Sequence, residues 1–421
     1  MDRLLQPDRT TRTATSLIAV LALTFFCSIA TGVFWHAVSF IAKHRYGFDQ
    51  TRNLTMYAMM GATYIVFAYK AGAVTRMLRQ VMTPRTMVVC LLVVQALACI
   101  GPVAFAGEWT IWLAFGVSTV CLALIWPLIE SYIGAGRHGP AMRSSVGWFN
   151  MIWMPAVALP LLLMPPLLER HGEWVLAAQA AVYLAAIVPL WWFAPRPGFH
   201  DPETATQHVP AEYRLLLRCA RVLLPVSYVL MAAIAPILPY RFEAIRDHQA
   251  ALEQAPMSVE AETPVAATWM VVRFLAVVVM WRLGFWHGRW GTLLLATIAM
   301  TIGFALVVLA MSIPVMMTGF AIFGAGLGMV YYAALYYALA VGHAEVDAGG
   351  THEALIGIGY TVGPLAGLAG TAIGSTQEVD GGAAIVAIVW FIVAFGAVVA
   401  IQPYIVALRI RRRKREADDA G

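Results

Sequence analysis

Charge is what this chain has least of. Only 12% of its 421 residues are Asp, Glu, Lys or Arg, about half of the ~25% usual in soluble domains. Cysteine is sparse too. Cys27, Cys90, Cys99, Cys121 and Cys219 show no CxxC spacing, so the pattern argues for small apolar packing residues rather than disulfide or metal chemistry. No P-loop, GxSxG or HExxH pattern occurs, which leaves ATP-driven pumping and hydrolysis without support, and no enzyme is expected. The ~10-residue alternating segments of a membrane barrel are also missing.

What fills the chain instead is apolar. Hydrophobic residues make up 61% and the mean hydropathy is +0.74. A bilayer core ~30 Å thick is crossed by about 20 apolar residues in a helix. Twelve such spans are read near 16–41, 54–74, 86–106, 110–133, 145–167, 174–194, 215–239, 264–284, 291–312, 314–341, 353–374 and 382–406. The expected class is an all-α polytopic membrane protein. The first run follows Arg3, Arg9 and Arg12 but is too long for the 7–15-residue core of a signal peptide, so it is read as an uncleaved first helix. Two connections are longer: 195–213, and 241–263 with five acidic residues against two Arg.

Arginine placement sets the expected orientation. With twelve spans, Arg76, Arg79, Arg85, Arg137, Arg143, Arg214, Arg218 and Arg221 fall on the side of the N-terminus, with the tail cluster Arg409 to Arg415. Lys43, Arg45, Arg52, Arg170, Arg241 and Arg246 fall on the other. Both termini are therefore expected in the cytoplasm, and the expected site is a bacterial cytoplasmic membrane. The tail RIRRRKR follows directly on a helix and suits anionic lipid headgroups, at about 1 kcal/mol per basic residue. It lacks the aromatic or Gly-rich pattern of a nucleic-acid surface, so no nucleic-acid partner is expected.

The chain repeats itself. GAVTRMLRQ from Gly72 answers GFWHGRWGT from Gly284, an offset of 212. NMIWMPAVAL from Asn150 answers GYTVGPLAGL from Gly359, an offset of 209, with Pro155 and Pro364 at matching places. Both offsets are near half the length, as a duplicated six-helix unit gives.

On these features the chain resembles the major facilitator superfamily along essentially its whole length. Family members carry G-x-x-x-D-R-x-G-R after the second helix and an echo after the eighth. Here the first copy keeps Gly72, with Arg76 in the Asp position and Arg79 in the second Gly position; the second keeps Gly284, Arg289 and Gly291, with Gly288 in the Asp position. The family's G-x-x-x-G-P-x-x-G pattern stands in the eleventh span as Gly359, Gly363, Pro364 and Gly367. The run YGFD, Tyr46 to Asp49, is also similar to the family. The resemblance implies the family's fold: two pseudo-symmetric six-helix bundles, expected at 1–194 and 214–408, joined by a cytoplasmic loop at 195–213 and followed by a basic tail at 409–421. It also implies gating or packing roles for Gly72, Gly284, Arg289, Gly291 and the eleventh-span glycines.

On a helix at 100° per residue, Gly359, Gly363, Gly367, Gly370 and Gly374 fall within an arc of about 80°. Such a stripe admits close helix approach. Two readings are open: static packing, or a rocking surface between bundles with a bend at Pro364.

Ionisable groups inside a membrane are costly and become functional candidates. Arg273 lies mid-span in the eighth helix and suits a clamp for an anionic or hydroxyl-rich solute, or a structural pair. Glu130, toward the cytoplasmic end of the fourth, is a proton carrier or the partner of Lys70, Arg137 or Arg143 in a gate. His36 is a proton-coupling candidate or a hydrogen-bonded core residue. Glu353 opens the eleventh span as a gating candidate. Asn150 with Trp148 offers polar and stacking contacts. The pairs Tyr331–Tyr332 and Tyr336–Tyr337 line a cavity or anchor at the interface, with Tyr332 and Tyr336 as candidate substrate contacts. The segment 343–353 holds His343, Glu345, Asp347, His352 and Glu353. Its spacing matches no zinc signature, so it is read as a solvated turn, with neither metal nor cofactor assigned.

The expected function is secondary transport of a small solute by alternating access, coupled to protons through Glu130 and His36, in a monomer. A passive facilitator and a non-transporting sensor with the same fold are the alternatives.

Overall fold

The structure is a computed structural model, described for residues 15–105, 107–135, 137, 139–198, 211–341, 346–376 and 380–418. It is all helical among the described residues. The first span is broken into α1 (Leu17–Gly32), a π-helical turn (Val33–Ala37) and α2 (Val38–Tyr46). There follow α3 (Gln50–Leu78), α4 (Pro84–Ala104), α5 (Trp109–Gly134), α6 (Gly139–Leu163) and α7 (Pro165–Ala185) with a 3-10 turn at Val188–Trp192. The second set is α8 (Ala211–Ile234), α9 (Leu238–Ala251), α10 (Glu262–Arg282), α11 (Trp290–Val308), α12 (Ile313–Val341), α13 (Val346–Thr376) and α14 (Gly381–Asp418).

Eleven stretches among the described residues are long and apolar enough to cross a membrane. The twelfth expected span is α3, 29 residues long and about 44 Å at 1.5 Å per residue. Its lower hydropathy follows from its place: Asn53, Tyr57 and Tyr64 are buried in the protein rather than facing lipid.

Local chemistry explains the boundaries. In YGFD, Gly47 takes φ +67 and ends α2, while its N–H and that of Phe48 donate to Lys43 and Ala42 carbonyls at 3.0 Å each, a glycine helix stop. Asp49 then caps α3, accepting from the Arg52 N–H at 2.7 Å. Four residues thus stop one helix and start the next. Thr83 caps α4 ahead of Pro84 in the same manner.

Some expected bounds shift. The fifth helix ends at Leu163, not 167, because Pro165 opens a new helix. The connection 241–263 is largely helical: α9 runs to Ala251 before a 3-10 turn at Val259–Ala261. Residues 346–353 are the first turns of α13 rather than a solvated turn, with Gly349 and Gly350 buried; His343 and Glu345 lie outside the described residues. The basic run continues α14 as helix to Asp418.

Packing sorts the helices into two sets. α1 packs on α6 and α7, α4 on α5 and α7, and α3 on α5. In the second set α12 packs on α10, α11 and α8, and α13 and α14 pack on α8 and on each other. The sets meet along α3 and α13, α5 and α13, and α6 and α10.

The glycine stripe divides between these surfaces. A Cβ at Gly359 or Gly363 would meet Pro225, Tyr228 and Val229 of α8, within the same half. At Gly350, Gly357 and Gly367 it would meet Ala68, Ile65 and Leu54 of α3, in the other half, and at Gly370 it would meet Ile385 of α14. The stripe therefore does not form one face against one neighbour. α13 is wedged between α3, α8 and α14, so small residues are needed on more than one side. Pro364 is buried inside the helix.

Candidate functional site

Twelve residues from both helix sets enclose one hollow between the halves. Thr31, Trp35, Tyr64, Trp126, Glu130, Phe149 and Trp153 come from the first; Tyr228, Tyr331, Glu353, Ile356 and Tyr360 come from the second. About 50 Å³ is open to the centres of water-sized spheres, where one water needs ~10–15 Å³. That is room for a few waters, so a larger solute enters only as the halves part.

Aromatic rings form most of its wall. Trp35 stacks on Tyr360 with centroids 3.6 Å apart and meets Tyr64 edge-on at 5.4 Å. Tyr228 lies edge-on to Tyr360 at 5.4 Å, and Trp153 to Tyr331 at 5.3 Å. The Trp126 indole N–H donates to Thr31 Oγ1 at 3.3 Å.

Acid sits at the end nearer the N-terminus. Ligand atoms of Glu130, His352 and Glu353 lie within 4.8 Å of one another. Glu353 is buried and accepts from the Tyr64 hydroxyl at 2.5 Å. Of the three gate partners weighed for Glu130, two are engaged elsewhere. Arg137 turns its guanidinium to the carbonyls of Tyr132, Ile133 and Thr15 at 2.8–2.9 Å. Lys70 lies over the Tyr69 ring at 5.7 Å, and the Arg143 side chain is outside the described residues.

Arg273 stands behind the aromatic wall, 4% exposed. Its guanidinium carbon lies over the rings of Tyr331, Trp153 and Tyr228 at 4.8, 5.0 and 5.9 Å. One nitrogen donates to the Tyr228 hydroxyl at 3.3 Å, while Nε has no hydrogen-bond partner. Ring faces stand between this cation and the hollow, so in this conformation Arg273 does not line it.

Other candidates are displaced by helix rotation. Tyr332 and Tyr336 point away from the hollow into a cluster with Trp286; Tyr336 also stacks on His287 at 4.3 Å. Tyr331, one residue away and so turned by 100°, lines the hollow. Trp148 is half exposed beside Trp281. Asn150 is buried, donates to the Val146 carbonyl at 2.8 Å and accepts from Trp153 Nε1 at 2.9 Å; it positions a wall residue rather than lining the wall. His36 lies edge-on to Trp269 at 5.2 Å and lines a second, smaller cavity with Leu161 and Phe323.

The signature loop also departs from expectation. Gly72 is buried in α3, but Gly284 and Arg289 are exposed, and a Cβ at Gly291 would meet nothing within 4 Å. The constrained residue is Gly288, with φ +72 and an N–H donating to the Tyr337 hydroxyl at 3.1 Å.

At the far end the halves are tied by polar links. Lys43 donates to Glu243 and to the Pro239 carbonyl, both at 2.8 Å. His44 Nε2 lies 2.8 Å from Glu262, which is fully buried and also pairs with Arg246. The Tyr240 hydroxyl donates to the Phe48 carbonyl at 2.6 Å and accepts from Asn53 at 2.8 Å. The hydrogen bond from Lys43 holds the Glu243 carboxyl below its ordinary range despite partial burial.

Solved transporters share this architecture. The nucleoside transporter NupG superposes with a TM-score of 0.61 at 11% identity, covering 92% of this chain and 98% of that one. A point mutant of NupG gives 0.62 at 11% over the same shares. A bacterial homologue of the human lysosomal transporter Spinster, inward-facing and unoccupied, gives 0.60 at 12%, covering 93% and 96%. At these identities the likeness is one of fold alone. No protein-family model and no curated protein matches the sequence.

Proposed function

We propose that this protein is a secondary transporter that moves a small solute across a membrane by alternating access. One observation carries the reading. A largely aromatic hollow with two acids at one end lies between two helix sets, and each set supplies part of its lining. A pocket shared in this way is remade whenever the halves move, and so changes the side to which it opens. The halves are 1–194 and 214–408. The end bearing both termini is cytoplasmic, and the basic continuation of α14 lies against anionic headgroups.

Polar links tie the far end, and close backbone approach ties the near one. Gly350 of α13 lies where a Cβ would strike the Ala68 carbonyl of α3. Transport requires the two closures to break in turn.

The facing carboxyl groups of Glu130 and Glu353 are the coupling element. Two acids this close are balanced by a proton between them or by a cation. The nucleoside specificity of NupG is not transferred at 11% identity.

Flux of candidate solutes into proteoliposomes, with and without an imposed pH gradient, tests the reading. Gradient-driven accumulation that Glu130→Gln abolishes is expected. Equilibration indifferent to the gradient would instead identify a passive facilitator, and solute binding without flux a sensor.

A further inference from the structure

We infer that the hollow selects an organic cation: a small ammonium group carried on an apolar or aromatic body. This deepens the transport reading and rests on it for the direction of movement, but not for binding.

Among the described residues, no Lys or Arg lines the hollow. That absence disfavours an anion. The nearest candidate cation, Arg273, is turned onto ring faces outside the lining. What the wall does offer is ring surface and negative charge. Aromatic faces attract cations through the ring quadrupole, most strongly where water is excluded. The carboxyl groups of Glu130 and Glu353 stand at one end of that ring-lined space.

The geometry also sets an order of contacts. Glu353 already accepts from Tyr64, so its remaining acceptor positions and those of Glu130 are what an incoming ammonium would meet. Its apolar body would then lie along Trp35, Tyr360 and Trp126. The present volume admits only a few waters, so binding is coupled to a slight parting of α13 from α3 and α5.

Intrinsic tryptophan fluorescence of the purified full-length protein, titrated with choline, tetraethylammonium and benzyltrimethylammonium, tests this. The uncharged isostere 3,3-dimethylbutanol and the anion benzoate serve as comparisons. At least one cation should bind at least tenfold more tightly than the isostere. Glu130→Gln and Glu353→Gln should each weaken that cation at least tenfold, Glu353→Asp should recover part of the loss, and Trp148→Phe should change nothing. Failure of all three cations to bind, equal affinity for the isostere, preference for benzoate, or indifference to both glutamine variants would overturn the inference. Should the glutamine variants not fold, the comparison of cation with isostere on the parent protein decides alone. Binding of a cation without flux would sink the transport reading and leave the site standing. Flux of a neutral or anionic solute with no cation binding would do the reverse.

Discussion

His44→Leu isolates the link that crosses between halves at the far end. Glu262 makes two contacts: Arg246 lies in its own half, and His44 lies in the other. Only the second must break when the halves separate. In the closed state the substitution leaves one oxygen of a fully buried carboxylate without its cross-half partner. In the open state, water reaches that oxygen. A hydrogen bond to a charged group is worth roughly 1.5–3 kcal/mol, so the closed state loses about that much relative to the open one. At ~1.4 kcal/mol per factor of ten, the equilibrium moves about 10- to 150-fold. An open state populated at ~1% rises to between about 10% and 60%. Spin labels at Thr51→Cys and Ala250→Cys, exposed positions in different halves, report it by pulsed dipolar spectroscopy, with the exposed Cys90 replaced by Ser. A second, longer distance should appear. The control Arg45→Gln breaks the 2.6 Å pair with Glu173 inside the first half and should leave the distances unchanged. A distance distribution in His44→Leu identical to the parent's would refute the latch.

Three further outcomes are expected. Glu243→Gln removes a half-exposed pair worth ~0.2–1 kcal/mol, so the same labels should show a smaller opening than His44→Leu gives. Because the Glu243 carboxyl is held down by Lys43, its contribution is complete above the ordinary value of ~4.3. It fades as pH falls through the depressed folded value, so parent and variant should converge in acid and differ at neutral pH. Gly363→Val places a side chain against the α8 backbone at Val229 and Ala233 and should lower the melting temperature, at ~1–3 kcal/mol for overpacking. Gly61→Val wedges the seam between halves instead, and should speed labelling of a cysteine at Thr31 more than it lowers the melting point. Gly288→Ala meets nothing closer than Tyr213 at 3.9 Å, so its cost is the left-handed backbone alone, about 1–2 kcal/mol; Gly291→Ala should be neutral in the same thermal melt.

Hydropathy and helix caps act locally, so the sequence by itself determined the helices and most of their ends. Even α3, lower in hydropathy than the others, was read as a span at 54–74, and YGFD carries its turn in four residues. The duplication near residue 210 determined that two similar bundles exist. Glu130, Arg273 and Glu353 were also legible as costly charges in apolar runs, because that cost holds wherever the charge sits. Partners were not legible. Of two adjacent tyrosines, Tyr331 faces the hollow and Tyr332 faces Trp286, and nothing in the order of residues says which. A helix can turn freely about its axis until its neighbours stop it. Only the tertiary structure decided that Glu130 faces Glu353, that Arg273 lies against rings, and that the glycines of α13 serve several neighbours at once. Such pairings join residues far apart in the chain, as Tyr64 and Glu353, 289 positions apart, are, and they exist only once the helices have packed.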